Sequence, residues 1–301
     1  MAIQKEIWVS TIIENLYKTI EFLLFSTNHN EYVQSGKIVH LPNAGAKPTV
    51  VKNRTSFPAT AVRRTDIDLF YPLDEFTTDP THIQDAEKVE LSYNKIMSVL
   101  SGHLETLRES MSDEVLFRWA NGLPAANMIS TTGAAVGSHL QGTTGNRKLL
   151  TVTDFKKAAT MMNMQNIPKT NRYALLDSET LSQLFDDPDL KKRDYAQELD
   201  MINNRLPRLF GFNIIERSEV LRLTDDTVLS PETASGAASN AGALFWHTGS
   251  VAAALGDVSF FEKVNDPQYY GDVYSALVRF GGRRTREDNK GVVIIRQAAS
   301  A

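Results

Sequence analysis

Cysteine is absent from the 301 residues, which excludes disulfides, thiolate metal ligands and cysteine nucleophiles. Histidine occurs six times, at positions 29, 40, 82, 103, 139 and 247. No two of these lie three or four residues apart, so no helix presents a ready pair of metal ligands. Long apolar runs are also missing. The most apolar window, Ile20–Phe25, is far short of the ~20 residues that span a bilayer. The opening MAIQKEIWVS lacks the basic-then-apolar order of a signal peptide, so the reading is of a soluble product with no membrane partner. Net charge is −4 and the isoelectric point near 5.9, without the basic footprint of a nucleic-acid binder.

Motifs that carry chemistry are equally scarce. The segment closest to a phosphate-binding loop, GSHLQGTT from Gly137, has Thr143 where the lysine that reaches the phosphates should stand. GxSxG, HExxH and GxGxxG do not occur, which removes the local signatures of a serine hydrolase, a zinc protease and a dinucleotide site. Asp66 with Asp68, and Asp186 with Asp187 and Asp189, are acidic clusters without the further oxygens that complete six or more metal contacts. The second, beside turn-prone Pro188, reads as a solvated loop. No catalytic, cofactor or metal residue is assigned, and the chain reads as a non-enzyme.

What is present is organised by charge and period. Ile12, Leu16, Ile20 and Leu23 have helical spacing and predict an amphipathic N-terminal arm. In 32–65, six cations (Lys37, Lys47, Lys52, Arg54, Arg63 and Arg64) occur with no acid. There KIVHL and TVV flank turn residues, predicting a long hairpin with too little apolar content for a core of its own. From Asp66 to Glu90, eight acids face Lys88 alone. A +6 block therefore adjoins a −7 block. Either these are two solvated faces, or one copy's basic hairpin lies on another copy's acidic surface, where complementary potentials fix register.

Val89, Tyr93, Ile96, Leu100, Leu104, Leu107 and Met111 recur at three- and four-residue steps, predicting one helix over about 84–111. A separate helix is expected over Asp113–Asn121. Residues 122–150, rich in Gly, Ser and Thr, read as a long mobile loop, and Thr153 as the cap of the next helix. RYALLD, capped onward by Ser178, and GFNIIER read as strands. ALFWH precedes a small-residue helix, SVAAALG, and the chain closes with VSFFEKV, VYSALVRFGG and VVIIRQ. Strands and helices mix without regular βαβ units, so the class is α+β.

In that order, the stretches GKIVHLP (36–42), NRTSFPATAVRRTDIDLFYPLDEFTTDP (53–80), LFGFNIIERSEVL (209–221) and YGDVYSALVRFGGRRTREDNKGVVIIR (270–296) resemble the major capsid proteins of tailed bacteriophages, the Hong Kong 97-type fold. The resemblance implies an N-terminal arm over 1–33 and an extended loop, a β-hairpin, over 34–80. It implies a peripheral domain from 81–170 and 256–301 with a spine helix over 84–111, and an axial domain over 171–255. It further implies a coat protein that self-assembles into hexamers and pentamers of an icosahedral head enclosing double-stranded DNA, contacted only non-specifically. Portal and scaffolding proteins, and in some cases decoration proteins, are the implied partners. The implied location is the virion, after assembly in the host cytoplasm. An arm starting within the first ten residues implies a separate scaffold. Lys47, Lys52 and Asn289 match the residue types that cross-link some family members, but no motif singles them out. The alternative readings are an encapsulin-like compartment enclosing cargo enzymes and a soluble α+β enzyme with a dispersed site. The residues proposed to make intersubunit contacts are Lys47, Lys52, Arg54, Arg63 and Arg64 on the basic side, with Asp66, Asp68, Asp74 and Glu75 on the acidic side.

Overall fold

A computed structural model describes residues 21–34, 37–43, 49–55, 57, 58, 61, 63, 67–84, 94–191 and 206–300, with the side chains of 34, 41–43, 67–69 and 94–100 outside the description. In chain order the principal elements are β1 (Ile38–Asn43), β2 (Ile67–Pro72), β3 (Asp74–Thr77), β4 (Thr81–Gln84), α1 (Asn94–Ala120), β5 (Met128–Ser130), α2 (Val152–Met164), β6 (Arg172–Asp177), α3 (Ser178–Phe185), β7 (Phe212–Arg217), β8 (Leu221–Thr224), β9 (Asn240–His247), β10 (Val251–Asp266), β11 (Gly271–Arg284) and β12 (Val292–Arg296).

Strand β9 organises the larger sheet. Antiparallel β12 pairs along one edge, Trp246 opposite Val292. The other edge is shared by β6, through Leu244–His247, and β8, through Asn240–Gly242. Parallel strands β7 and β5 extend the sheet beyond β6 and β12. Side chains alternate across it as the strand period requires. Leu244, Trp246, Val292 and Ile294 enter one core, while Ala243, Phe245, Val293 and Ile295 enter another. Burial on both faces is why ALFW and VVII are continuous apolar runs rather than alternating ones. Helices α2 and α3 cover the second face through Phe155, Met162, Leu181 and Leu184.

The first face meets α1 and a second sheet. There β10 and β11 form a long antiparallel hairpin, and β3 and β4 pair with the far edge of β11. Leu104, Leu107, Met111, Val115, Leu116 and Trp119 of α1 pack with Ile83, Phe260, Val278 and Phe280. Trp119 is fully buried and donates its Nε1–H to the Ala252 carbonyl at 3.0 Å. It also meets Phe22 edge-on at 5.8 Å and Trp246 at 5.9 Å. The expected apolar stripe thus faces the C-terminal strands over Leu104–Met111. Val89 and Tyr93, and the side chains of Ile96 and Leu100, lie outside the described residues.

Several boundaries depart from the sequence expectations. Gln84 ends β4, and α1 runs unbroken for 27 residues, a rod of ~40 Å, where two helices were expected. The expected second start, at Asp113, follows a serine, and Ser and Asp side chains do favour caps. Here the Ser112 hydroxyl bonds back to the Glu109 carbonyl at 2.8 Å, and Asp113 turns out to Arg217 at 2.6 Å. The helix ends on the carbonyls of Trp119 and Asn121, both of which accept from the Arg284 guanidinium, at 2.9 and 2.6 Å.

The SVAAALG segment is not a helix but the start of β10. Its alanines suit the close approach of β11 and α1: a Cβ on Gly282, opposite Ala253, would lie 3.0 Å from the Ala252 carbonyl, Trp119 and Val115. TVV is not the return strand of the basic hairpin either, since β1 pairs with β2 from Ile38↔Pro72 to Asn43↔Ile67. Thr151, not Thr153, caps α2, in a capping box with Asp154. Asp177, not Ser178, caps α3.

The 122–150 segment is also more structured than a mobile loop, carrying short strands at 135–137 and 146–148. Within it Arg147, 4% exposed, donates to the Ala237 and Ser239 carbonyls at 3.1 and 3.0 Å. Residues 21–32, part of the expected arm, are tied to the chain's own core. Phe22 is buried, the Phe25 carbonyl accepts from Trp246 Nε1 at 3.0 Å, and the Phe25 ring stacks on Tyr173. The rest of the arm pattern, through Ile20, lies outside the described residues.

Candidate assembly surface

The basic hairpin has a firm root and a bare far end. At the root, alternation along β1 and β2 turns Val39 and Tyr71 inward, and with Leu73 and Ala254 they form a small buried cluster. The Leu73 amide donates to the Lys37 carbonyl at 2.8 Å, and Arg283 donates to the Phe70 carbonyl at 2.7 Å. Buried Tyr71 shares a 3.2 Å hydrogen bond between its hydroxyl and His29 Nδ1. Burial lowers the His29 pKa and raises that of Tyr71, the latter against the pull of Arg283. Both are therefore neutral partners at neutral pH. The hairpin has a core after all, supplied by β10 of its own chain.

Beyond the root that support ends. Val50, Val51 and Phe57 are 94%, 54% and 77% exposed, and Lys52, Arg54 and Arg63 stand exposed among them. Apolar side chains beside cations, left uncovered by the described residues, form a surface suited to burial against an acidic neighbour. Lys47, Arg64 and Asp66, and the side chain of Asp68, lie outside the described residues.

Two acids of the neighbouring block, Asp74 and Glu75, have partners inside the chain. Asp74 forms an ion pair with Arg118 of α1, which also holds Glu114 at 2.9 Å. Glu75 takes Arg279 of β11 at 2.7 Å, and Arg279 reaches Asp257 at 3.5 Å. The register sets this second contact, since Arg279 lies directly opposite Glu75. These carboxylates stay partly open, 36% and 47% exposed. A carboxylate offers about four acceptor positions, so each can take a further cation.

A second exposed apolar patch escaped the sequence reading. At the turn of the β10–β11 hairpin, Phe261, Val264, Tyr269 and Tyr270 are 52%, 45%, 53% and 80% exposed. The signal was a pair of tyrosines in the turn-prone run NDPQYYGD. The acidic cluster at 186–189 serves structure: Asp187 accepts from the Val152 amide at 2.8 Å and from the Asp189 amide at 2.9 Å. Among the described residues, no three His, Asp or Glu side chains converge as metal ligands.

A family model described as phage capsid protein matches residues 102–298, well over half of the chain. The chain belongs to the phage capsid protein family. Solved capsids share the architecture of this capsid protein. That of the cyanophage P-SCSP1u superposes with a TM-score of 0.65 at 16% identity, covering 92% of this chain and 87% of that one. The capsid of the Helicobacter pylori bacteriophage KHP30 gives 0.64 at 12% identity, covering 90% and 87%. That of a native GTA particle gives 0.63 at 10%, covering 93% and 91%. No curated protein matches. The fold of the capsid protein is thus the Hong Kong 97 type. It is a major capsid protein, a structural component of a multimeric virion shell.

Proposed function

We propose that the capsid protein closes into hexamers and pentamers of an icosahedral head around double-stranded DNA, assembled in the host cytoplasm with portal and scaffolding partners. In this reading 1–33 is the N-terminal arm and 34–80 the extended loop. Residues 81–170 with 256–301 form the peripheral domain, and 171–255 the axial domain. The observation that carries it is the loop's far end, where Val50, Val51 and Phe57 stand open beside Lys52, Arg54 and Arg63.

The proposed contact joins Lys47, Lys52, Arg54, Arg63 and Arg64 of one subunit to Asp66, Asp68, Asp74 and Glu75 of the next. Arginine suits this role because its planar fork holds a carboxylate by two parallel bonds. Each exposed pair contributes about 0–1 kcal/mol, and symmetry repeats the pair at every contact. For Asp74 and Glu75 the incoming cation joins Arg118 and Arg279 rather than meeting a bare carboxylate. Nothing observed favours a cargo-enclosing compartment or a dispersed enzyme site.

The test is the double change Arg63→Glu and Arg64→Glu. The subunit's melting temperature should stay nearly constant while shells fail to form. Wild-type assembly should weaken as salt shortens the Debye length towards ~3 Å. A double variant that assembles like wild type would refute the contact.

A further inference from the structure

Residues 138–145 fold back on themselves. The Ser138 amide donates to the Gly145 carbonyl at 3.1 Å, and the Ser138 and Thr143 hydroxyls share a 2.6 Å hydrogen bond. Most of what holds this loop to the rest of the subunit is electrically neutral or made to backbone carbonyls. The Thr144 amide donates to the Ala237 carbonyl at 3.2 Å, and Arg147 reaches Ala237 and Ser239. One attachment differs. His139 Nε2 lies 2.5 Å from Asp177 Oδ2, at 19% and 8% side-chain exposure. The ring's other nitrogen, Nδ1, is buried without a hydrogen-bond partner.

Asp177 cannot turn away to follow the histidine, because its other oxygen accepts from the Thr180 amide at 3.0 Å as the cap of α3. The carboxylate is therefore fixed by the strand–helix junction, and the histidine comes to it with the loop. The other charges facing the ring are Glu179 of α3, Glu219 between β7 and β8, and Arg222 of β8. Arg222 is bound to Glu219 at 3.1 Å. Glu219, Arg222, Ser218 and Ser235 border, with His139 and Asp177, an open cleft of about 510 Å³, so protons reach the pair.

We propose that His139 is a proton-operated latch: as imidazolium it pins the 138–145 loop to the β6–α3 junction, and on deprotonation it lets the loop lift. Burial acts to lower the His139 pKa, but the Asp177 hydrogen bond and the negative potential of Asp177, Glu179 and Glu219 outweigh it, and the pKa is raised. A folded-state value above the ordinary 6.5 means that the docked loop binds the proton more tightly than the released loop. The latch is thus fully engaged below 6.5 and is lost as pH rises through the raised value. Each unit of elevation makes docking tenfold tighter for the imidazolium than for the neutral ring. The latch does not depend on the assembly reading, since every group in it belongs to one chain.

The test is hydrogen exchange followed by mass spectrometry on the full chain at about pH 6 and about pH 8.5, spanning the histidine titration range, with rates corrected for intrinsic pH dependence. The Thr144 amide, bonded to the Ala237 carbonyl outside the loop, reports loop docking, and the amides of the β6–β7 ladder serve as control. In wild type the Thr144 amide should lose protection several-fold at the higher pH while the ladder stays constant. In His139→Gln, which keeps a polar side chain but cannot titrate, loop protection should be the same at both. Constant loop protection in wild type would overturn the proposal, and so would an equal loss in His139→Gln.

Discussion

Trp119 joins α1, β10, the segment carrying Phe22 and the central sheet, so its truncation is the sharpest probe of the packing. The side chain is fully buried. Trp119→Ala removes the indole from between Phe22 and Trp246 and opens a cavity that three independently anchored elements cannot readily fill. A loss of about 3–5 kcal/mol follows. Trp119→Phe keeps an aromatic ring but removes the donor to the Ala252 carbonyl, and leaving a buried acceptor without that partner costs about 1–3 kcal/mol. Urea unfolding of unassembled subunits, followed by far-ultraviolet circular dichroism, measures both, because assembly would add its own binding energy. The midpoint should fall with the slope unchanged. If Trp119→Ala costs less than about 0.5 kcal/mol, the range of a surface substitution, α1 does not pack through this residue and the core assignment is wrong.

Gly291 has φ +83°, and a Cβ there would sit 2.1 Å from the Ser250 hydroxyl, so Gly291→Ala should cost more than about 1 kcal/mol in a thermal melt. Arg284→Met leaves the Trp119 and Asn121 carbonyls at the end of α1 without their guanidinium and should destabilise by about 1–3 kcal/mol in the same urea assay. For Asp154, burial acts to raise the pKa, but hydrogen bonds from Lys157, Thr132 and Thr151 outweigh it and hold it below the ordinary 3.8. Its contribution is therefore present above 3.8 and lost as pH falls through the depressed value. Asp154→Asn should be less stable at neutral pH and show a shallower loss of stability on acidification below 3.8.

The sequence disclosed elements wherever one physical demand dominated. Strands buried on both faces carry uninterrupted apolar runs, ALL within RYALLD and VVII within VVIIR, and the stripe from Leu104 to Met111 needs only a helix to be continuous. It misled where two demands met. Ser112 and Asp113 favour caps in isolation, yet inside α1 the Ser112 hydroxyl bonds back one turn to the Glu109 carbonyl and Asp113 makes a tertiary contact with Arg217. The small residues of Val251–Ala254 have helical propensity, but they lie where α1 and β11 crowd a strand. At the candidate surface, the basic block and its exposure could be read from composition. That Asp74 and Glu75 are shared with Arg118 and Arg279 could not, because those partners lie 44 and 204 residues away. Packing of α1 on β3 brings Arg118 to Asp74, and the sheet register brings Arg279 to Glu75.

Electron microscopy of the purified protein, expressed with its neighbouring head genes, bears most directly on the claim that this chain builds a closed shell through its extended loop. Wild type should give closed particles of uniform diameter, and the Arg63→Glu, Arg64→Glu variant should give folded but unassembled subunits. Wild-type protein found only as monomers or small open oligomers would contradict the shell, and closed particles from the variant would contradict the loop's part in it.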